Sequence, residues 1–461
     1  MHKLSFLLMS VACTPVPAKV AYPSDDASST SLADDLPIPG ADDDEDPSEP
    51  PEDDPSDDSS EPDEPSDPDE PEDEPDEPGD NEEEDDDDED DEDDGLAEWT
   101  VMVYLAADNN LEGAALTDLN EMETAGSTDD VNILVELDRA EGYSTADGNW
   151  TGARRYLVQQ DDDMGDITSP VAVDLGEVDS GDAQTFIDFI EWGVENYPAK
   201  RTAFIIWNHG WGWTMAPTSG RKGVASDDDS GNDISVAEGE YEQILSAGMD
   251  ALGERFALVG MDACLMANWE TARVTVPYGE YYVASQATES FDGWAFHTAL
   301  QDLVDDPEMD AAELGTVFAE RFHETDDSTL SVTDLDELAN MDAAIESFAL
   351  AVLADDNPRG EVRRQARQSQ NFDGDPADRD LGDFMVRMTD ASENDDIILA
   401  ADDINNEIDS VVVANFTNGG WVSDATGLSI YIPVNGPDAQ YRAGSWNGLT
   451  SWTEMLDAVA D

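Results

Sequence analysis

From Trp99 onward, short apolar runs alternate with longer segments whose apolar residues recur at helical spacing. The apolar runs are rich in β-branched residues and too short for buried helices, so they predict buried strands. The segments with helical spacing are bounded by Asp, Asn, Gly or Pro, as helices are. Strands that alternate with helices predict right-handed crossovers and a mostly parallel sheet covered on both faces.

The pattern predicts an α/β fold with a mainly helical C-terminal part. Strands are expected at 100–107, 131–137, 154–158, within 202–213 and 256–267, and at 281–285, 330–333 and 428–433. Helices are expected at 111–124, 182–197, 236–249, 268–276, 311–325, 335–353, 361–369, 381–388 and 397–412. The α/β core should occupy about 99–305 and the helical part about 306–461.

The first 98 residues lack this pattern. They hold 41 acidic and two basic residues, and residues 22–98 consist largely of Asp, Glu, Pro and Ser. Such a segment cannot bury enough apolar surface to offset its ordering entropy, so it predicts a disordered stalk or tether. Calcium binding by its Asp runs would be weak without a fixed loop geometry.

The N-terminal sequence MHKLSFLLMSVA is typical of an export signal within residues 1–21. A basic start and a short apolar stretch precede small residues and Cys13. Cys13 is the candidate lipid-attachment site of a bacterial lipoprotein; an ordinary signal peptide and an incidental start are the alternatives. The first two readings predict an exported protein of the cell envelope or the extracellular medium.

Composition excludes some partners. The net charge of −94 repels nucleic acid and anionic lipid. No run of 18 apolar residues is present, so the predicted membrane contact is limited to the N-terminal lipid anchor. We expect a monomer that acts on proteins or peptides.

Two of the predicted strands end in reactive side chains. The run TAFIIWNHGWGW carries His209, and FALVGMDACLMA carries Cys264. Their separation of 55 residues leaves room for a loop and one crossover helix, which places both side chains at the carboxyl edge of neighbouring parallel strands. Cys264 is the only cysteine after residue 20, so we expect no intrachain disulfide. It is either a nucleophile or a buried structural thiol.

These runs resemble a known family. WNHGWGW and MDACLM, together with WTVMVYLAADNNLE, DLGDFM and GLSIYIP, resemble the clostripain family of cysteine peptidases, relatives of caspases, legumains and gingipains. The resemblance covers most of the chain from Trp99 and implies a caspase-like sheet and endopeptidase activity after Arg or Lys.

The resemblance implies a role for each residue of the pair. Cys264 would attack the scissile carbonyl, and His209 would carry the proton. The backbone N–H groups of Gly210 and Cys264 would stabilise the oxyanion, with Gly210 allowing the substrate backbone to approach closely. His297 and His323 are interpreted as packing or surface residues.

Specificity for a basic residue requires carboxylates near the thiol. Asp262 shares a strand face with Cys264, and the resemblance implies that Asp292 lines the same pocket. The alternative is that both are ordinary acids of an acidic protein. Gln286 departs from the pattern, because an acid is expected there.

The loop 219–235 is rich in Gly, Ser and Asp and contains the basic pair Arg221 and Lys222. Either the pair is simply exposed, or the loop is cut after one of these residues, as members of the family mature by such a cut.

The sequence contains no metal-binding motif, and Asp227 to Asp229 lack spaced ligands. We expect no required cofactor, although some members of the family depend on Ca²⁺. Two other functions fit parts of the sequence: a catalytically silent binding or scaffolding module displayed on the stalk, and a structural envelope protein. The histidine and cysteine pair favours an enzyme.

Overall fold

The computed structural model describes residues 95–215, 222–326, 328–372 and 374–460. The strands are β1 Ala97–Ala107, β2 Val131–Arg139, β3 Gly152–Leu157, β4 Val171–Gly176, β5 Ala199–Trp207, β6 Gly210–Met215, β7 Lys222–Val224, β8 Phe256–Asp262, β9 Gly279–Ala284, β10 Thr329–Asp334, β11 Asp378–Asp380, β12 Val412–Thr417 and β13 Ser429–Tyr431. The predicted signal segment, Cys13 and almost all of the acidic stalk lie outside the described residues.

The α-helices in the described part of the chain are α1 Glu112–Ala125, α2 Ala183–Asn196, α3 Glu240–Leu252, α4 Trp269–Thr275, α5 Phe296–Asp305, α6 Ala311–Thr325, α7 Leu335–Ala354, α8 Arg359–Gln368, α9 Leu381–Ala391, α10 Asp395–Val411 and α11 Trp452–Ala460. None of these helices is long and apolar enough to span a membrane.

A nine-stranded sheet organises the molecule, in the order β12-β10-β9-β8-β5-β1-β2-β3-β4. Its five central strands, from β9 to β2, are parallel, and antiparallel strands extend both edges. The predicted α/β class with a mostly parallel sheet is therefore confirmed. The mainly helical C-terminal part also supplies the edge strands β10 and β12.

Alternating side chains of the central strands divide the core into two layers. On β1, Val101 and Val103 pack with α1, α5 and α6 on one face. Met102 and Tyr104 point to the other face, where α2, α3, α7 and α10 pack. Because both faces are covered, polar groups of the central strands can reach solvent only at the strand ends.

The register places the two reactive strand ends side by side. Trp207 at the end of β5 pairs with Asp262 at the end of β8, and the Asn208 N–H donates to the Asp262 carbonyl at 3.2 Å. His209 and Cys264 each follow two residues after this pair. The predicted neighbouring parallel strands are thus present, and α3 forms the crossover between them.

Candidate active site

The backbone segments after β5 and β8 are in direct contact. A Cβ atom placed on Gly210 would lie 2.3 Å from the Cys264 carbonyl oxygen and 3.1 Å from the Cys264 nitrogen. A side chain at residue 210 would therefore collide with the Cys264 backbone. The glycine thus makes room for the cysteine segment. Its expected role in admitting the substrate backbone stays a prediction.

Cys264 occupies a sharp turn. The next residue, Leu265, adopts φ = +67°, which is unfavourable for a branched side chain. The Leu265 N–H donates to the Ala287 carbonyl at 2.9 Å, and this bond holds the turn against the loop after β9. The strained residue thereby fixes the direction in which the Cys264 side chain leaves the strand.

The Cys264 sulfur is almost fully buried, with 1% of the residue exposed. The Glu289 N–H donates to Sγ at 3.3 Å. Nucleophilic attack requires the thiolate form of this sulfur.

His209 is held by a residue that the sequence analysis did not single out. Its Nε2 lies 2.9 Å from Oδ1 of Asn110, in the turn between β1 and α1. An amide oxygen only accepts hydrogen bonds, so Nε2 carries the hydrogen and Nδ1 is the basic nitrogen of the neutral ring. Asn110 follows β1, the neighbour of β5, which is why the two residues meet despite their separation in sequence.

The other two candidate histidines contact different side chains. His297, at the start of α5, has Nδ1 2.9 Å from Oε2 of Glu121. His323 lies in α6, and its ring packs 5.6 Å from that of Phe416. Both fit the packing and surface roles expected for them.

A small cleft opens beside Cys264, and its walls are strongly acidic. Its lining includes Leu111, Trp207, Asp262, Cys264, Glu289 and Gly293. Asp262 is 4% exposed and Glu289 is 3% exposed. Asp262 therefore lies where the sequence analysis expected it, whereas Glu289, in the loop after β9, was missed.

A third carboxylate approaches the cleft from α1. A Cβ placed on Gly293 would lie 3.2 Å from Oδ2 of Asp262 and 3.4 Å from Oδ2 of Asp118. Asp118 is 1% exposed, and its Oδ2 accepts no hydrogen bond. Asp292 is exposed and does not line the cleft, although its charge acts on Asp118.

Burial dominates the acid–base behaviour of this group. It raises the pKa of Asp262 to about 7, against a smaller opposing effect of the hydrogen bond with Glu289 and of the Trp294 N–H. Burial and the charge of Asp262 raise the pKa of Glu289 well above its ordinary value. Burial and the charge of Asp262 likewise raise the pKa of Asp118 well above its ordinary value. Three buried carboxyl groups with raised pKa values thus lie close together.

Gln286, expected to be replaced by an acid, has a structural role instead. Its Nε2 donates to Oδ2 of Asp380 at 2.9 Å and to Oγ of Ser429 at 3.2 Å. Its Oε1 accepts from the Gly427 N–H at 2.8 Å. A neutral amide is needed here because the site requires both a donor and an acceptor.

The described residues include two groups of carboxylates that could hold a metal ion. Asp108, Asp138 and Asp227 form one, and Asp108, Glu177 and Asp229 form the other. Within the sequence, Asp227 to Asp229 alone show no spaced ligand set. The remaining carboxylates come from β2 and from the ends of β1 and β4, far away in sequence.

Residues 103–458 match the model of the clostripain family. Clostripain of Hathewaya histolytica is 28% identical over 187 residues, which are 38% of this chain and 35% of that protein. The match thus spans about a third of the curated relative's length.

Two solved structures share the fold. A secreted C11 cysteine protease from Bacteroides thetaiotaomicron, solved with an irreversible peptide inhibitor, aligns with a TM-score of 0.57 and 18% identity over 79% of this chain and 100% of that chain. An inactive zymogen C11 protease from Parabacteroides distasonis aligns with a TM-score of 0.55 and 19% identity over 78% of this chain and 98% of that chain.

Proposed function

Since this chain belongs to the clostripain family, we propose that it is an exported cysteine endopeptidase that cleaves after Arg or Lys through Cys264 and His209. One observation carries the specificity: the buried carboxylates of Asp262, Glu289 and Asp118 converge beside Cys264. A buried carboxylate is unfavourable unless a cation neutralises it, so the cleft favours a substrate that brings one.

The chemistry uses the cysteine as nucleophile and the histidine as proton carrier. His209 Nδ1 takes the thiol proton, and Sγ of Cys264 attacks the scissile carbonyl to give a tetrahedral intermediate. The protonated imidazole then donates its proton to the leaving amine, which leaves a thioester on Cys264. Water, deprotonated by His209, hydrolyses the thioester and restores the thiol.

Several neighbouring groups support these steps. The Glu289 N–H, 3.3 Å from Sγ, stabilises negative charge on the sulfur. Asn110 fixes the imidazole tautomer and accepts a stronger hydrogen bond when the ring becomes charged. The N–H groups of Cys264 and Gly210 are the proposed oxyanion donors, and the contact between the two residues brings these groups close together.

The substrate's basic side chain enters the acidic cleft. Its positive charge lowers the pKa values of Asp262 and Glu289, so both carboxyls ionise as it binds and protons are released to solvent. Arg can form two parallel hydrogen bonds with a carboxylate, whereas Lys acts as a point charge. We therefore expect Arg to be preferred over Lys.

We also propose maturation by a cut after Arg221 or Lys222, within the predicted loop 219–235. Arg221 lies outside the described residues, and the Lys222 backbone begins β7, which pairs with Met215 of β6. Both candidates precede Gly223, whose φ of +60° and contact with the Ile234 carbonyl fix the backbone just after the cut. Export, and attachment of lipid at Cys13, belong to the same proposal.

A panel of fluorogenic peptides tests the function. The reduced full chain, with Cys264→Ala as the control, is incubated with otherwise identical peptides that carry Arg, Lys, Asp or Leu before the cleaved bond. Turnover of the Arg and Lys peptides alone is expected, and mass analysis should place a cut after Arg221 or Lys222. No turnover of basic peptides by reduced, matured protein would favour the silent module.

A further inference from the structure

Helix α8 is a basic element in an acidic protein. Residues 99–461 hold 72 acidic and 17 basic residues, and four of the 17 lie within the ten residues of α8. These four are Arg359, Arg363, Arg364 and Arg367, and Glu361 is the one acid of the helix. At about 100° per residue, the four arginines fall within roughly 140° of the helix circumference. They form a surface that we call the basic face of α8.

The buried side of α8 is formed by other residues. Val362, Gln365 and Ala366 are buried, and the helix packs on α9 and α11. Arg364 and Arg367 are exposed, whereas Arg359 and Arg363 are half-buried. A partner can therefore reach the basic face from solvent.

The arginines of the basic face differ from the others in their ion pairs. Of the arginines that the structure describes, ten form an ion pair with an Asp or Glu side chain. The four that form none are Arg359, Arg363, Arg367 and Arg379. Arg379 lies at the same place, since it donates at 2.8 Å to the carbonyl of Ser369, which follows α8. The positive charges that lack an acidic partner are thus concentrated at one helix.

The hydrogen bonds of these arginines are also incomplete. The Nε atoms of Arg363 and Arg379 are buried without an acceptor. Arg359 donates at 2.6 Å to the Ala460 carbonyl, which is a neutral group. A guanidinium has five N–H donors, and a carboxylate can accept two parallel hydrogen bonds from it. Carboxylates from outside are therefore the groups that would best complete this surface.

The chain after α8 leads to the catalytic cysteine. A Cβ placed on Gly374 would lie 2.6 Å from Cδ1 of Leu265, the residue after Cys264. Gly374 follows Arg367 by seven residues, so the two Cα atoms are at most about 25 Å apart. The basic face therefore begins within about 30 Å of Leu265, a distance that about nine residues of an extended chain can cover.

We propose that the basic face of α8 binds a carboxylate-rich segment of the protein substrate while Cys264 cuts the same substrate at a basic residue. Arg359 and Arg367 are about 12 Å apart along the helix, the length of about four residues of an extended strand. A narrow acidic strand can contact this face alone. A membrane or a nucleic acid would also bring its phosphates against the surrounding acids, which repel them. The step at Cys264 rests on the proposed function, whereas the binding itself does not.

Fluorescence anisotropy of a labelled peptide of about twelve glutamates tests the binding without turnover. The full-length Cys264→Ala protein is titrated at low salt, and its own acidic N-terminal segment is present in every variant. Adding Arg363→Gln and Arg367→Gln should raise the dissociation constant at least about fivefold, because charge-assisted hydrogen bonds are lost. Arg321→Gln with Arg442→Gln is the matched control, since it makes the same change in net charge at arginines that already have acidic partners. It should stay within about twofold of the parent, and salt should weaken binding in both.

Arg367→Glu keeps the test decisive if Arg363→Gln fails to fold. Arg367 is exposed and has no ion pair to lose, so this variant should fold normally and bind the peptide at least about tenfold more weakly. Equal dissociation constants in the parent and the α8 variants, or no binding by the parent, would overturn the proposal. Vesicles of anionic phospholipid, compared with vesicles of neutral phospholipid, are the second probe. Tighter binding to anionic vesicles that the α8 variants lose would overturn the choice of an acidic polypeptide.

Turnover then tests the step at Cys264. Otherwise identical Arg peptides carry about six Glu or about six Gln residues, about nine positions before or after the cleaved bond. In the parent, KM for a Glu peptide should be about 3- to 10-fold lower than for its Gln counterpart on at least one side, and the α8 variants should lose this difference. Equal KM values in a parent that binds the glutamate peptide would overturn this step. Absence of turnover under all conditions would instead reject the proposed function, while the anisotropy data still decide whether α8 binds acidic chains.

Discussion

Asn110 Oδ1 lies 2.9 Å from Nε2 of His209, so a residue after β1 sets the tautomer of a histidine after β5. Such an orienting group is the third member that nucleophile and base pairs commonly require. Its contribution is separable from that of Cys264, because Asn110 does not touch the substrate bond in the proposed mechanism.

Replacing Asn110 should lower turnover without weakening substrate binding. In Asn110→Ala the imidazolium formed during reaction loses a charged hydrogen bond, which predicts a fall in kcat of about 10- to 100-fold. KM should stay within about twofold, because binding does not use this bond. Steady-state kinetics on an Arg peptide provide the measurement; a rise in KM with kcat intact would contradict the orienting role.

Removing the Glu289 charge should weaken recognition of basic residues. Glu289→Gln retains the backbone N–H that contacts Sγ but removes a carboxylate from the cleft. We expect kcat/KM on Arg and Lys peptides to fall by roughly 10- to 100-fold. Glu280→Gln, the same change on the exposed part of β9, is the matched control and should match the parent. Equal activity of the two variants would remove Glu289 from the specificity site.

The protonation of Asp262 predicts the pH dependence of binding. Burial raises its pKa to about 7, so below this pH the group is largely neutral in the substrate-free protein. A basic substrate must then displace a proton, and KM for an Arg peptide should rise as the pH falls from about 8 to about 6. Asp262→Asn should have a higher KM that no longer changes with pH in this range. A flat KM in the parent would contradict the assignment.

The raised pKa values of the buried acids Asp108 and Asp138 predict how the stability of the protein changes with pH. The folded-state pKa values of Asp138 and Asp108, about 9 and about 7, exceed the ordinary value of 3.8. The folded protein therefore binds more protons than the unfolded chain, and its stability falls as the pH rises from about 4 to about 9. Without divalent cations the Cys264→Ala protein should melt at a higher temperature near pH 5.5 than near pH 8.5. Asp138→Asn should reduce that difference, and a melting temperature that rises with pH in EDTA would contradict the account.

Substitution of Gly210 tests the contact between the segments that carry His209 and Cys264. Gly210→Ala places a methyl group 2.3 Å from the Cys264 carbonyl, so the segments must separate. We expect a loss of about 1–3 kcal/mol in the free energy of unfolding and a large loss of kcat. Gly113→Ala, in an open position on α1, should be neutral or gain up to about 1 kcal/mol. Denaturant unfolding of both variants is the measurement, and an unaffected Gly210→Ala protein would contradict the contact.

The strands that position the chemistry could be predicted, because β1, β2, β5, β8 and β9 are buried on both faces and read as apolar runs. Their order in the sheet brings Trp207 beside Asp262, and this register follows from the parallel arrangement. The edge strand β4 was missed, since none of its residues is buried and they form no such apolar run.

One reason explains why three residues of the sites were not predicted. Asn110, Glu289 and Asp138 act through partners far away in the sequence, so their local surroundings resemble a turn, a polar loop and an ordinary strand end. A fixed spacing could not reveal them. A signal was nevertheless present for Asn110 and Asp138, since polar residues at the carboxyl ends of adjacent parallel strands must meet at one edge.

Covalent labelling tests the central claim most directly. The reduced full chain is treated with a peptide ketone inhibitor that carries Arg before an acyloxymethyl leaving group, and with the same inhibitor carrying Asp. With the Arg reagent only, we expect one adduct, on the peptide that contains Cys264. Labelling should be much slower in His209→Ala. Labelling of another residue, equal labelling by the Asp reagent, or an unchanged rate in His209→Ala would contradict the central claim.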